Sequence, residues 1–222
     1  MNLALFDLDH TLLPLDSDHA WGEFVVTLGW ADAATQRLAN DAFYAAYQNG
    51  TLDIAEYVEF ATRPWRERPP DEQAAAHARF MREVIAPALR PEALSLVNEH
   101  RARGDVIAIV TATNEFVTRP IAAAFEVETL IAVELERDAG GAVTGRIQGV
   151  PSFRDGKTVR VEQWLAQIGR RMQDFERVSF YSDSTNDLPL LELATHPVAT
   201  NPSPALEAIA RQRGWPLLQL FP

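Results

Sequence analysis

Three short apolar runs, Leu3 to Leu8, Val106 to Val110 and Val178 to Tyr181, punctuate the chain, and each gives way to acidic or hydroxyl-bearing residues. A strand covered on both faces reads as such a continuous run, whereas a half-exposed strand alternates. Helical patterns fill the intervals. Pro91 to Arg103 carries Leu94, Val97 and Arg101 at helical spacing and stops at Gly104, just ahead of the second run. Thr158 to Ile168 presents Val161, Trp164, Leu165 and Ile168 on one face and stops at Gly169. This order predicts an α/β fold in which helices cover a parallel sheet.

Residues 15–88 break the rhythm. Trp21, Phe24, Val25 and Leu28 fall at i, i+3, i+4 and i+7, and Ile54, Tyr57, Val58 and Ala61 repeat the spacing, with no strand candidate between them. These stripes read as core packing. A helical insert between the first and second strands would sit over the carboxyl ends of the strands, where open α/β sheets bind ligands. The expected division is a core of residues 1–14 and 89–222 and a helical cap of residues 15–88. Leu130 to Leu135 and Val143 to Ile147 flank an Asp-Ala-Gly-Gly loop and predict a hairpin. The prolines at Pro69-Pro70 and at Pro197, Pro202 and Pro204 are expected to mark loops.

With 222 residues, burial alone can hold one sizeable domain, or a domain with an inserted subdomain. The absence of cysteine excludes a disulfide scaffold, a thiolate metal site and a cysteine nucleophile, and it fits a reducing compartment, with the cytoplasm as the default. The N-terminus has no basic lead-in and meets charge at Asp7, so neither a signal peptide nor a membrane span is expected there, and no later apolar run is long enough. A net charge of −11 would repel nucleic-acid phosphates over most of the surface. A phosphorylated metabolite would therefore need a local source of positive charge, for which a metal ion is the obvious candidate.

Two acidic clusters stand at strand ends. In Phe6-Asp7-Leu8-Asp9-His10-Thr11-Leu12 the carboxylates are two residues apart where a strand gives way to a loop, so that a side chain and a backbone carbonyl can turn to one metal. Alone, one Asp could equally cap a turn while the other is solvated. Ser182-Asp183-Ser184-Thr185-Asn186-Asp187 follows another buried run and offers the hard oxygen ligands that magnesium takes, although its Ser and Asp could also cap the helix at Leu188 to Leu193. Thr111, in Ile109-Val110-Thr111-Ala112-Thr113, and Lys157, in Arg154-Asp155-Gly156-Lys157, add a hydroxyl with following backbone amides and a cation, which are groups that hold phosphoryl oxygens.

In this order the motifs Asp-x-Asp-x-Thr, a hydrophobic run ending in Thr, Lys, and Ser-Asp-x-x-x-Asp resemble those of the haloacid dehalogenase-like hydrolases, and the helical insert resembles the cap of the subgroup containing phosphoserine phosphatase. Ala199-Thr200-Asn201-Pro202 is similar to that subgroup's loop after the fourth motif. The resemblance implies a three-layer Rossmann-like parallel sheet core with an inserted α-helical cap. It implies a magnesium-dependent phosphomonoester hydrolase in which Asp7 is the nucleophile and Asp9 the general acid and base. Thr111, Ala112 and Lys157 would bind phosphate, and Mg2+ would be held by Asp7, Asp9 through its backbone carbonyl, and Asp183, with Asn186 and Asp187 completing or buttressing the site. Halide-displacing members lack the second aspartate of the first motif, so Asp9 argues against dehalogenation.

Substrate specificity is expected in the insert. Asp16 and Asp18 stand where phosphoserine phosphatases carry an acid that meets the substrate amine, which points to an amino-bearing phosphomonoester such as phosphoserine or histidinol phosphate; a solvated or helix-capping Asp is the alternative. Arg63 and Arg66, with Arg68, form a basic patch around Trp65 that could bind an anion or simply lie on the surface. No residue matches the cap arginine of phosphoserine phosphatases. Two rival readings share the phosphoaspartate: a phosphotransferase or mutase, and a non-enzymatic phospho-acceptor or sensor.

Overall fold

The computed structural model describes residues 1–221. The chain opens with β1 (Asn2–Phe6), then α1 (Ser17–Thr27), α2 (Ala33–Gln48), α3 (Ile54–Thr62), α4 (Pro70–Phe80) and, beyond a π-turn, the short α5 (Ala86–Ala88). Next come α6 (Pro91–Ala102), β2 (Val106–Asn114), α7 (Glu115–Ala124), β3 (Leu130–Val133), β4 (Leu135–Arg137) and β5 (Val143–Ile147). Last are α8 (Asp155–Gln167), β6 (Arg177–Ser182), α9 (Leu188–Leu193), β7 (His196–Thr200), α10 (Pro204–Arg213) and β8 (Leu217–Leu218).

Six strands form one sheet in the order β3-β2-β1-β6-β7-β8, and every neighbouring pair is parallel. Because successive side chains of a strand face opposite ways, β1 feeds two cores. Ala4 and Phe6 join Val97 of α6 and Val117 and Ile121 of α7 on one face. Leu3 and Leu5 join Val161 and Leu165 of α8, Leu190 of α9 and Leu206 and Ala210 of α10 on the other. Both faces are covered, which is why the strands lack polar alternation. Chain direction across the sheet reverses between β1 and β6, and ligands of such sheets bind outside the carboxyl ends of the strands at that point.

Of the helices ahead of α6, α1, α3 and α4 share the first of these cores. Trp65 stacks on Phe116 of α7 with ring centroids 3.8 Å apart, and Trp21 of α1 meets Phe80 and Phe116 edge-on. The insert is thus packed onto the sheet domain by aromatic contact. No helix among the described residues is long and apolar enough to cross a membrane.

Two local expectations are corrected. The run from Leu130 to Leu135 is not one hairpin arm: its first half, β3, pairs in parallel with β2 at the sheet edge, and only β4 pairs antiparallel with β5. An apolar run contains no mark of where a strand leaves one sheet for another. Pro197 lies within β7 rather than in a loop, opposite Phe180 of β6. It is tolerated because the outer neighbour β8 reaches only Ala199 and Thr200, leaving the Pro197 end of the strand as an edge. Pro70 and Pro204 open α4 and α10, where the missing N–H has no partner to lose.

Candidate active site

At the switch point the loop after β1 coils back on itself. The amides of Thr11, Leu12 and Leu13 all reach the Leu8 carbonyl, and His10 adopts the left-handed conformation at φ 56°. Asn201 fastens this turn: its side-chain amide donates to the carbonyls of His10 and Thr11 at 3.0 and 3.1 Å, while its oxygen accepts from the Leu220 amide at 2.7 Å. As a result the Thr11 hydroxyl lies between Asp7 Oδ2, at 3.1 Å, and Asp183 Oδ1, at 3.3 Å, and it accepts from the Asp183 amide. Asp7, Asp183 and Lys157 are therefore brought together by β1, β6 and α8.

Lys157 is buried in the first turn of α8. Its Nζ donates to Asp7 Oδ1 at 2.7 Å and to Asp187 Oδ2 at 2.8 Å, and Ser182 donates to the same Asp187 oxygen at 2.7 Å. Burial would lower the ammonium's pKa, but the charges of Asp187 and Asp7 outweigh it and raise it above the ordinary lysine value. The neighbouring Gly156 is required by space, since a Cβ there would fall on the Pro151 carbonyl. A larger residue would push α8, and Lys157 with it, away from the sheet.

Asp9 faces the cavity from the other side of the loop. Its Oδ1 accepts from the Ser17 amide at 2.8 Å and its Oδ2 from the Thr113 hydroxyl at 2.8 Å. Burial and the nearby charge of Asp16 raise its pKa from 3.8 to about 6, against the pull of those two hydrogen bonds. Thr111 is buried in the second half of β2, which continues to Asn114, and its hydroxyl accepts from the Thr113 amide at 3.1 Å. Thr111, Ala112 and Thr113 all line the cavity over Asp7 and Asp9.

That cavity is roofed by the helices between β1 and β2: Asn40, Phe43, Tyr44 and Tyr47 from α2, Leu52 from the following loop, and Ile54 and Tyr57 from α3. Asp16 and Asp18 also line it, so the capping and pocket readings are both true of Asp16, which accepts from the His19 amide at the start of α1. Asp18 is buried and accepts from the Asn114 side chain at 3.2 Å, with the Tyr57 hydroxyl against it. Burial and the charges of Asp16 and Asp9 raise its pKa well above the carboxylate range.

The structure does not bring Arg63 and Arg66 to this cavity. Both pair with Glu59, Arg66 through two hydrogen bonds, and the Arg66 guanidinium fills the space that Gly145 of β5, at φ 87°, leaves open. They fasten the β4–β5 hairpin to α3. Nor does Asn186 turn to the carboxylates; its amide donates to the Tyr47 carbonyl at 3.0 Å and ties α2 to the loop after β6. Thr11 stood in the first motif without an assigned role, and the residues that escaped sequence reasoning are Thr113 and the aromatic roof. Thr113 shares a strand face with Thr111, and Asn40, Phe43, Tyr44 and Tyr47 fall at i, i+3, i+4 and i+7, so both carried a readable signal.

The donor set fits a hard divalent cation. Three carboxylates, Asp7, Asp183 and Asp187, face one buried ammonium, and burial together with the charges of Asp7 and Asp187 pushes Asp183 well above the ordinary range despite Lys157. Another positive charge would relieve that excess. Magnesium is commonly bound through one or two carboxylates, with water and carbonyl oxygens for the rest.

Comparison with known proteins agrees with this geometry. The family model for haloacid dehalogenase-like hydrolases matches residues 4–192. A histidinol-phosphatase of Neisseria meningitidis serogroup C (strain 8013) is 43% identical over 217 residues, covering 98% of each chain. A crystal structure of a protein from Bordetella pertussis Tohama I superposes with a TM-score of 0.93 at 52% identity, covering 99% of both chains. A substrate-bound phosphoserine phosphatase shares the fold at a TM-score of 0.69 and 17% identity, covering 97% of this chain and 91% of the other. The chain belongs to the haloacid dehalogenase-like hydrolases, as one of the family's phosphatases.

Proposed function

We propose that this phosphatase is magnesium-dependent, works through an aspartyl-phosphate on Asp7, and removes phosphate from a small amine-bearing metabolite, with histidinol phosphate the first candidate. The observation that carries this reading is the pairing of two differently held carboxylates across one loop. Asp7 is clamped by Lys157 and Thr11 at the cavity floor, while Asp9 sits two residues on with its carboxyl held by Ser17 and Thr113.

The chemistry divides between them. An Asp7 carboxylate oxygen attacks phosphorus as the ester P–O bond breaks, and Asp9 gives its proton to the departing alkoxide, releasing the alcohol. The ionised Asp9 then takes a proton from water as that water attacks phosphorus and the bond to Asp7 breaks, releasing phosphate and returning both residues to their starting forms. A pKa near 6 suits a group that must give and take one proton close to neutrality. Lys157 offsets charge that a phosphoryl group would bring to Asp7, and Thr111 and Ala112, in the lining of the same cavity, would meet its oxygens. Magnesium, held by the Asp7 and Asp183 carboxylates with the Asp9 carbonyl, would supply the remaining positive charge. The helices of residues 15–88 act as the cap that carries specificity, supported by their presence in the cavity roof.

The 43% identity to a histidinol-phosphatase over nearly the whole chain supports the substrate, as does the acidic and aromatic cavity. The test is a phosphate-release screen over phosphorylated amino alcohols, amino acids, sugars and nucleotides, with and without magnesium. Histidinol phosphate should be turned over fastest and only with the metal. A sugar or nucleotide phosphate turned over faster would refute the substrate assignment.

A further inference from the structure

The cavity over Asp7 and Asp9 is one-sided in charge. Asp7, Asp9, Asp16 and Asp18 all line it, and no lysine or arginine is among its lining residues. The neighbouring cations are engaged elsewhere: Arg66 and Arg63 on Glu59, Arg154 on the Gly50 carbonyl, and Lys157 between Asp7 and Asp187 beneath the floor. His19 is paired with Asp41 at 2.9 Å. The lining drawn from α2, α3 and the loop between them includes an aromatic and apolar group, Phe43, Leu52, Ile54 and Tyr57; the Phe43 and Tyr57 rings lie 5.4 Å apart.

Asp18 is the unusual member. It is buried, 5% exposed, yet its partners are a neutral amide, Asn114, and a neutral phenol, Tyr57. A buried carboxylate held only by neutral donors is costly when ionised, and a cation arriving beside it removes that cost. A substrate carboxylate has the opposite effect, because it adds a negative group to a site with no cation to receive it.

We infer that the cavity selects by charge: it accepts phosphomonoesters whose far end is an amine or a cationic ring and rejects those bearing a carboxylate, with Asp18 and Tyr57 as the pair that reads the cation. This rests on the phosphatase reading and narrows it. Histidinol phosphate, with an amine and an imidazole but no carboxylate, satisfies the rule; phosphoserine, with an amine and a carboxylate, breaks it. Aromatic faces in the lining suit a flat or cationic group.

The test compares substrates that differ in one group. Phosphoethanolamine and phosphoserine differ only by the carboxylate, histidinol phosphate adds the ring, and p-nitrophenyl phosphate is uncharged beyond its phosphate. With magnesium present, kcat/KM for phosphoethanolamine should exceed that for phosphoserine by about 10²-fold or more, the scale expected when a group is forced into a site with no partner for it. Tyr57→Phe and Asp18→Asn should each lower the ratio of kcat/KM for histidinol phosphate to that for p-nitrophenyl phosphate by about tenfold, through KM; one missing charged contact is worth that much. Using the ratio cancels any loss of folded enzyme. Equal turnover of phosphoserine and phosphoethanolamine, or an unmoved ratio in both variants, overturns the charge rule while p-nitrophenyl phosphate turnover leaves the phosphatase reading standing. Silence on every probe overturns both.

Discussion

At the scale of single residues the site depends on a few side chains whose roles the sequence discloses unevenly. Asp7, Asp9, Thr111, Asp183 and Asp187 could be picked out because they follow apolar runs, where buried strands deliver side chains to one edge, whereas Lys157, in the first turn of α8, was readable only from its place in the order of the motifs. The arginines at 63 and 66 misled because composition says nothing of direction: a polar side chain near a motif can face away and fasten a neighbouring element, as Arg66 does with Glu59. Thr113 was hidden by Thr111, its neighbour on the same face. Removing its hydroxyl should release one oxygen of Asp9, and Thr113→Val is expected to lower kcat about tenfold, the worth of one hydrogen bond to a charged group, in a steady-state assay. A kcat equal to the parent's would show that Thr113 does not hold Asp9 for chemistry. Lys157→Met leaves two buried carboxylates without their partner, and urea denaturation without metal should register a loss of about 3–5 kcal/mol.

Elements were legible where one period dominates. The strands β1, β2 and β6 and the helices α1, α3, α6 and α8 emerge from apolar runs and from i, i+3, i+4 stripes, with boundaries displaced by a few residues. The β3–β4 run was not, because partner choice at a sheet edge is decided by tertiary contact and leaves no local mark. β7 was concealed by Pro197, whose usual meaning as a loop signal fails on the exposed end of a strand. The docking of the insert was also unreadable in advance, since Trp65 lies among arginines in the sequence yet is fully buried against Phe116. Trp65→Ala should cost about 3–5 kcal/mol in chemical denaturation, the usual loss for a large buried aromatic. A loss under about 1 kcal/mol would mean that the aromatic contact does not hold the insert.

For the whole molecule, the unequal charge count at the switch point sets a dependence on pH and metal. Asp9 and Asp187 are raised to about 6 in the folded protein from 3.8, and burial is the main cause for both. The folded state therefore binds these protons more tightly than the unfolded chain. The stabilisation that protonation brings is fully present below the unfolded value and is lost as pH rises through about 6. His77 and His100, lowered by burial, oppose this trend, so the clean observable is the increment that magnesium adds. Saturating magnesium should raise Tm more at about pH 8, where the carboxylates are ionised, than at about pH 5, where protons already offset their charge. An equal increment at both would contradict binding at Asp7 and Asp183. The central claim, that Asp7 carries the phosphoryl group, is tested most directly by acid-quenching a reaction with histidinol phosphate during turnover and measuring intact and peptide masses. A mass gain of one phosphoryl group is expected, localised to the peptide bearing Asp7 and absent from Asp7→Asn, which should be folded and inactive; phosphate release by Asp7→Asn at the parent's rate, or a phosphoryl group on another residue, would contradict a phosphoaspartate at Asp7.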